Sequence, residues 1–259
     1  MIKKTSNIVI VLLVFAIISQ LHELLSLIPG IRQGYRELRN ILPYPFLGEL
    51  RNLIQISLVI LTIILLHRFS FKNVLKDIGL VKPIIPAILF GIFATLPMWI
   101  AFSVTASLAT HVSWNSVFFL TLISPLSEEV VYRGFAFGQI RRHANWGFWP
   151  ASIIIAVVFG LGHLGINQDL GQSVGVFLIT GVGGILFAWI YEKWDYNLWA
   201  PFWLHCLMNL NWQVFEVGNS AFAGWLPTTL QVLVAITAIV LTVFKKRIPL
   251  LSSGRSTKR

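Results

Sequence analysis

The chain has 259 residues, of which 56% are hydrophobic and 12% charged, and its mean hydropathy is +0.77. Those values exclude an ordinary water-soluble domain, so lipid is the solvent for most of the sequence. The formal net charge of +10 would suggest a nucleic-acid partner in a soluble protein. Here Lys and Arg gather in short segments between apolar runs, where they act as topology signals, and no nucleic acid is expected.

In chain order, Lys3 and Lys4 precede an apolar stretch running from Ile8 to about Ile28. The charge order is that of a signal peptide, but the stretch is longer than an h-region and no small-x-small cleavage pattern follows, so a retained first span is expected. A spanning helix needs roughly 20 mainly apolar residues. By that ruler the sequence contains about eight segments, near 8–28, 52–67, 84–107, 116–140, 149–166, 171–191, 198–216 and 226–244. Pro29-Gly30, Pro43, Pro45, Pro83, Pro86, Pro150, Pro201 and Pro227 punctuate them as helix ends do. The expected fold class is all-α: a polytopic membrane protein of about eight transmembrane helices, with a polar site inside the helix bundle.

With the N-terminus inside, the cytoplasmic segments collect Lys3, Lys4, Arg68, Lys72, Lys76, Lys82, Arg141, Arg142, Lys193 and the basic tail from Lys245. Only the first outer segment is basic, with Arg32, Arg36, Arg39 and Arg51. That asymmetry predicts both termini in the cytoplasm and a multi-pass cell-membrane protein. Trp146, Trp149, Trp194, Trp199 and Trp225 fall near segment ends and are expected as interfacial anchors. Cys206, the one cysteine, excludes an internal disulfide and is expected as a small packing residue.

Ionisable groups inside a bilayer are expensive, which makes those that remain candidates for function or for specifying the fold. The fourth segment holds Glu128, Glu129 and Arg133. On an α-helix Glu129 and Arg133 lie four apart on one face, with the acid N-terminal, the favourable order for an ion pair. Glu128 points about 100° away. The expectation is that Arg133 neutralises Glu129, while desolvation makes Glu128 a usable general base. The competing structural reading is a buried Glu-Glu-Arg network that only locks helix packing.

The fifth segment ends Phe159-Gly160-Leu161-Gly162-His163-Leu164-Gly165, whose glycines allow a neighbouring helix close approach. His163 then sits in a tight spot, either as a catalyst or as a hydrogen-bonded structural residue. In the seventh segment His205 and Asn209 share a helix face. They could present two donors to one developing oxyanion, or act as an interhelical polar clasp. Asn211, Gln213 and Glu216 are expected at the solvated end of that helix. A rhomboid-type Gly-x-Ser-Gly is absent, and His22-Glu23-Leu24-Leu25-Ser26 lacks the second His of a zinc-protease motif.

In order and on successive segments, Glu128-Glu129-x-x-x-Arg133, Phe159-x-x-x-His163 and His205-x-x-x-Asn209 resemble the three motifs of the CAAX-processing and bacteriocin-protecting membrane proteases, the CPBP or Abi family. The resemblance covers about 116–215; Tyr191-Glu192-Lys193 and Asn197-Leu198-Trp199-Ala200-Pro201 are also similar to the family pattern. It implies a multi-helical membrane endopeptidase with a cavity open to the cytoplasm, as in the Ras-converting type of CAAX protease. It further implies that Glu128 and His163 activate the attacking water, that His205 and Asn209 hold the oxyanion, and that Glu129 and Arg133 support the site. No cofactor is expected; the alternative is zinc held by Glu128, His163 and His205, a ligand set suited to a catalytic zinc.

The expected organisation is 1–110 as helices without a recognised motif, 111–217 as the catalytic core, and 218–259 as a last helix with a basic cytoplasmic tail. Expected partners are the lipid bilayer and a peptide or membrane-protein substrate, prenylated or not. The rivals are a non-catalytic bacteriocin-immunity or scaffold protein of the same fold, and a transporter. The transporter reading lacks a visible pair of matching halves.

Overall fold

The computed structural model describes residues 2–42, 46–110, 113–164, 169–218, 222 and 224–252. Among the described residues the fold is all-α, with no strand and a single isolated antiparallel bridge, Leu108 to Phe215. The chain order is α1 (Ile2–Ser19), α2 (Leu21–Ser26), α3 (Pro29–Ile41), α4 (Phe46–His67), α5 (Phe71–Asp77) and α6 (Ile85–Thr105), then α7 (Trp114–Phe118) and α8 (Ser124–Glu128). The last four are α9 (Phe148–Leu161), α10 (Leu170–Lys193), α11 (Trp199–Val214) and α12 (Trp225–Phe244). Helices α4, α6, α10 and α12 are each long and apolar enough to cross a membrane; α9 and the stretch Asn7–Ser19 are shorter apolar helices.

The expected first span of 8–28 is interrupted. α1 stops at Ser19, whose hydroxyl donates to the Ala16 carbonyl, and a separate short helix follows. Ser back-bonding of this kind competes with the helical ladder. The segment after Pro29 is not a loop but an amphipathic helix, α3, with the proline at its first position where a missing N–H costs nothing.

The chain forms two compact units that are discontinuous in sequence: 1–78 with 113–151, and 79–112 with 152–259. In the first, α7 and α8 alternate with π-helical stretches Phe119–Ile123, Glu129–Phe137 and Gln139–His143 to make one unbroken rod over 114–143. α4 packs along this rod, and Phe15 of α1 meets Tyr132 edge to face at 5.4 Å. Gly134 lets Ile78 in: a Cβ there would stand 3.1 Å from the Ile78 Cβ.

The second unit is built on α6, α11 and α12. Its core includes Phe90, Met98 and Phe102 of α6, Leu204 of α11 and Leu230 and Val234 of α12. Lipid tails are as apolar as these side chains, so what holds membrane helices together is close packing. Small residues at the contacts decide it. The site of a Gly91 Cβ is 3.0 Å from the Trp203 backbone, and Ala87, Ala94 and Ala238 are fully buried.

A polar latch closes the α10–α11 turn. Asn197 donates from Nδ2 to the Pro83 carbonyl at 2.9 Å and accepts from the Trp199 N–H at 3.1 Å, while Trp199 Nε1 donates to the Leu80 carbonyl at 3.0 Å. Asp195 and Tyr196 both have φ of 57° and Gly79 has φ of 87°, and a Cβ on Gly79 would collide with the Tyr196 carbonyl oxygen. Trp194 is 5% exposed and donates to Thr242, so it is a packing residue and not the interfacial anchor expected. Trp149 and Trp225 are exposed, as anchors are. Cys206 is a buried free thiol.

Candidate active site

Glu129 and Arg133 form the ion pair expected from their spacing: Arg133 Nη1 donates to Glu129 Oε1 at 3.0 Å, with side chains 3% and 0% exposed. Their helix is not α but π. In an α-helix residue i+4 overshoots a full turn by about 40°. Widening the turn to i→i+5 bonds reduces that overshoot and brings the two side chains closer to eclipse. π-turns recur where function requires local distortion.

Glu128 is the last residue of α8, at the junction where α winding gives way to π. It is half-buried, and its Oε1 accepts from the Ser124 hydroxyl at 3.2 Å. The two adjacent carboxylates thus have different surroundings, one bonded to a guanidinium and fully buried, the other bonded to a hydroxyl in a half-buried residue. Ser124 was not singled out from the sequence; its position four before Glu128 is the signal that could have found it.

In the second unit His163 follows the end of α9. It is exposed, its ring lies 4.4 Å from that of Phe159, and its Nδ1 lies 2.8 Å from the Phe159 carbonyl oxygen. A carbonyl only accepts, so Nδ1 carries the hydrogen and Nε2 of the neutral ring keeps its lone pair for chemistry. Gly160 lets α9 and α10 approach: a Cβ there would lie 2.9 Å from the Phe177 ring and 3.1 Å from the Phe177 carbonyl oxygen. Gly165 lies outside the described residues.

His205 and Asn209 lie one turn apart on α11, both half-buried, and the His205 ring stands edge-on to Phe187 at 5.6 Å. Asn211 is fully buried with its amide on the Leu207 carbonyl at 2.9 Å, so it is not at a solvated end. The helix continues to Val214 and carries it inside. Glu216 is exposed and bonds Thr110. The side chains of His22 and Glu23 lie outside what is described. Among the described residues no group of three His, Cys, Asp or Glu is arranged to hold a metal ion.

Two polar clusters in the first unit escaped the sequence reading. Asn52 donates to the buried Glu49 carboxylate at 3.2 Å within α4. A larger one centres on Asp77 at the end of α5. His143 Nε2 and Arg142 Nη1 approach its Oδ1 at 3.0 and 3.3 Å, and Gln139 donates to its Oδ2 at 2.7 Å. Gln139 in turn accepts from His67 at 2.6 Å. Burial opposes the Asp77 charge, but the His143 hydrogen bond and the charges of Arg142 and His143 outweigh it and hold the carboxyl below its usual 3.8. Asn7, Val11, Leu66, His67, Gln139 and His143 line a cavity of 170 Å³ beside this cluster. The partners come from positions up to 72 residues apart, so no local motif announces them.

The family of Rce1-like type II CAAX prenyl endopeptidases matches residues 116–211. A curated relative, the CAAX prenyl protease 2 of Methanococcus maripaludis, is 25% identical over 166 residues, covering 58% of this chain and 60% of that protein. The chain therefore spans 60% of the length of that relative. The matched segment runs from α7 to the last turn of α11 and contains Glu128, Glu129, Arg133, His163, His205 and Asn209. Through residues 116–211, this all-α membrane protein is similar to the Rce1-like type II CAAX prenyl endopeptidase family.

Proposed function

We propose that the protein is an intramembrane endopeptidase that hydrolyses a peptide bond of a membrane-associated or lipidated substrate. The observation that carries this reading is the difference between two neighbouring carboxylates. Glu129 is paired with Arg133 and fully buried, while the half-buried Glu128 accepts from the Ser124 hydroxyl. Two adjacent acids held in different surroundings are an arrangement that acid–base chemistry uses. The family match over 116–211 and the name of the archaeal relative support the same reading, and make a prenylated C-terminal peptide the first substrate class to test.

In this mechanism Glu128 accepts a proton from water, and the water oxygen attacks the scissile carbonyl carbon. His163, with Nδ1–H held by the Phe159 carbonyl, assists through Nε2. The carbonyl π electrons move onto oxygen, where His205 and Asn209 donate hydrogen bonds. The C–N bond then breaks as the proton passes to the leaving amine. Glu129 and Arg133 position the Glu128 backbone. The reaction proceeds without a metal, and both termini face the cytoplasm.

The decisive experiment compares peptides released in membranes carrying the wild-type protein and Glu128→Ala, by mass spectrometry. Products present with the first and missing with the second, at equal expression, are expected. Identical peptide sets would sink the peptidase reading in favour of an immunity or scaffold protein of the same fold.

A further inference from the structure

Helix α3 is unlike the other helices. It has 13 residues, a length of about 20 Å at 1.5 Å per residue, too short to span hydrocarbon. Ile31, Tyr35, Leu38 and Ile41 recur at three- and four-residue steps and fall on one side, and all four are 38% to 75% exposed. Arg32 and Arg36, both exposed, lie along one border of that stripe. Gln33 and Glu37, hydrogen-bonded to each other at 3.0 Å, lie on the other. The sequence of α3 holds Arg32, Arg36 and Arg39 against Glu37, a net charge of +2.

Among the described residues of the first unit α3 packs chiefly against α2, and Ile31, Leu38 and Ile41 stay 40% to 75% exposed. Its neighbours in the chain limit what does cover it. Leu27 and Ile28, just before it, are exposed apolar residues at the end of an apolar segment, and α4, which begins five residues after Ile41, is long and apolar enough to span. Both ends of α3 are thus tethered close to where the chain enters hydrocarbon. A short helix with a basic border and an apolar stripe, tethered at that depth, lies in the headgroup plane.

We propose that α3 is an interfacial helix that docks on the bilayer surface carrying the protein, with Ile31, Leu38 and Ile41 at the acyl boundary and Arg32 and Arg36 on anionic phospholipid headgroups. Tyr35 suits the same boundary, since an aromatic ring with a hydroxyl prefers the interface. This lipid contact is independent of the peptidase reading.

The test uses the full-length protein in vesicles, with a fluorophore on Leu38→Cys or Arg36→Cys in a Cys206→Ala background. In phosphatidylcholine vesicles with about a third phosphatidylglycerol, spin-labelled acyl chains should quench the Leu38 probe about threefold more than the Arg36 probe, and aqueous iodide should do the reverse. Arg32→Glu with Arg36→Glu should weaken acyl-chain quenching at Leu38 in the anionic vesicles and leave it unchanged in pure phosphatidylcholine. Iodide quenching both probes alike would overturn the proposal, as would a Leu38 probe shielded from both quenchers, which signals a protein cover or a second copy. Charge reversal acting equally in both lipids would overturn the anionic headgroup contact.

Discussion

Arg133 Nη1 bonds Glu129 Oε1 at 3.0 Å inside a π-helical turn, with neither side chain more than 3% exposed. A guanidinium placed this way cannot find water if its partner is removed. Glu129→Leu is therefore expected to cost about 3–5 kcal/mol, the penalty of an uncompensated buried charge. Replacing both partners, Glu129→Leu with Arg133→Leu, should recover much of that. Thermal melting in detergent followed by size-exclusion chromatography reads both effects, and a double variant no more stable than the single would refute a buried, mutually compensating pair.

Glu128 differs in kind. Glu128→Gln keeps the side-chain shape and an oxygen able to accept from Ser124, so stability should change by less than about 1 kcal/mol. Hydrolysis of a prenylated peptide should fall at least about 10²-fold in kcat, the scale of a lost general base. Equal kcat losses for Glu128→Gln and a normally folded Glu129→Gln would dissolve the division of labour between the two acids.

Gly160 sets the approach of α9 to α10. Gly160→Ala places a Cβ 2.9 Å from the Phe177 ring and 3.1 Å from its backbone oxygen, and a backbone atom cannot swing aside. A loss of about 1–3 kcal/mol is expected from the overpacking. Because His163 is three residues on, kcat should fall more than in Gly183→Ala, where a Cβ meets nothing within 4 Å.

Asp77 predicts an acid limb in stability. Its folded carboxyl lies below 3.8, so its contribution is fully present above the unfolded value of 3.8 and is lost as pH falls through the lower folded value. Asp77→Asn should melt earlier than wild type at neutral pH, and the gap should close in acid. A gap independent of pH between neutrality and strong acid would show that the carboxylate charge is not what matters.

Metal dependence separates the proposed chemistry from its zinc alternative. Activity should survive 1,10-phenanthroline. Loss of activity with the chelator and recovery with added zinc would assign Glu128, His163 and His205 to a metal instead.

Much of this was legible in the linear chain because it depends on local periodicity. Apolar length announces helices in lipid, since a backbone without water must bond to itself. The i,i+4 spacing of Glu129 and Arg133 announces a pair whether the turn is α or somewhat wider. Buried charge announces itself by its rarity in an apolar run. The all-α membrane fold and the buried ion pair were therefore readable before any coordinates, and the motif order pointed to the family that the comparisons found over 116–211.

Tertiary structure alone decided the rest. π winding from Glu129 onward depends on how the rod packs along α4 and α1, and no residue type signals it. The Nδ1–H tautomer of His163 follows from a carbonyl orientation. The burial of Asn211 and Trp194, both expected at an interface, follows from where neighbouring helices stand. Asp77 gathers His143, Arg142 and Gln139 across more than 60 residues of chain. Sequence spacing governs what lies on one helix face; which faces meet is set by packing summed over many side chains, each contributing little.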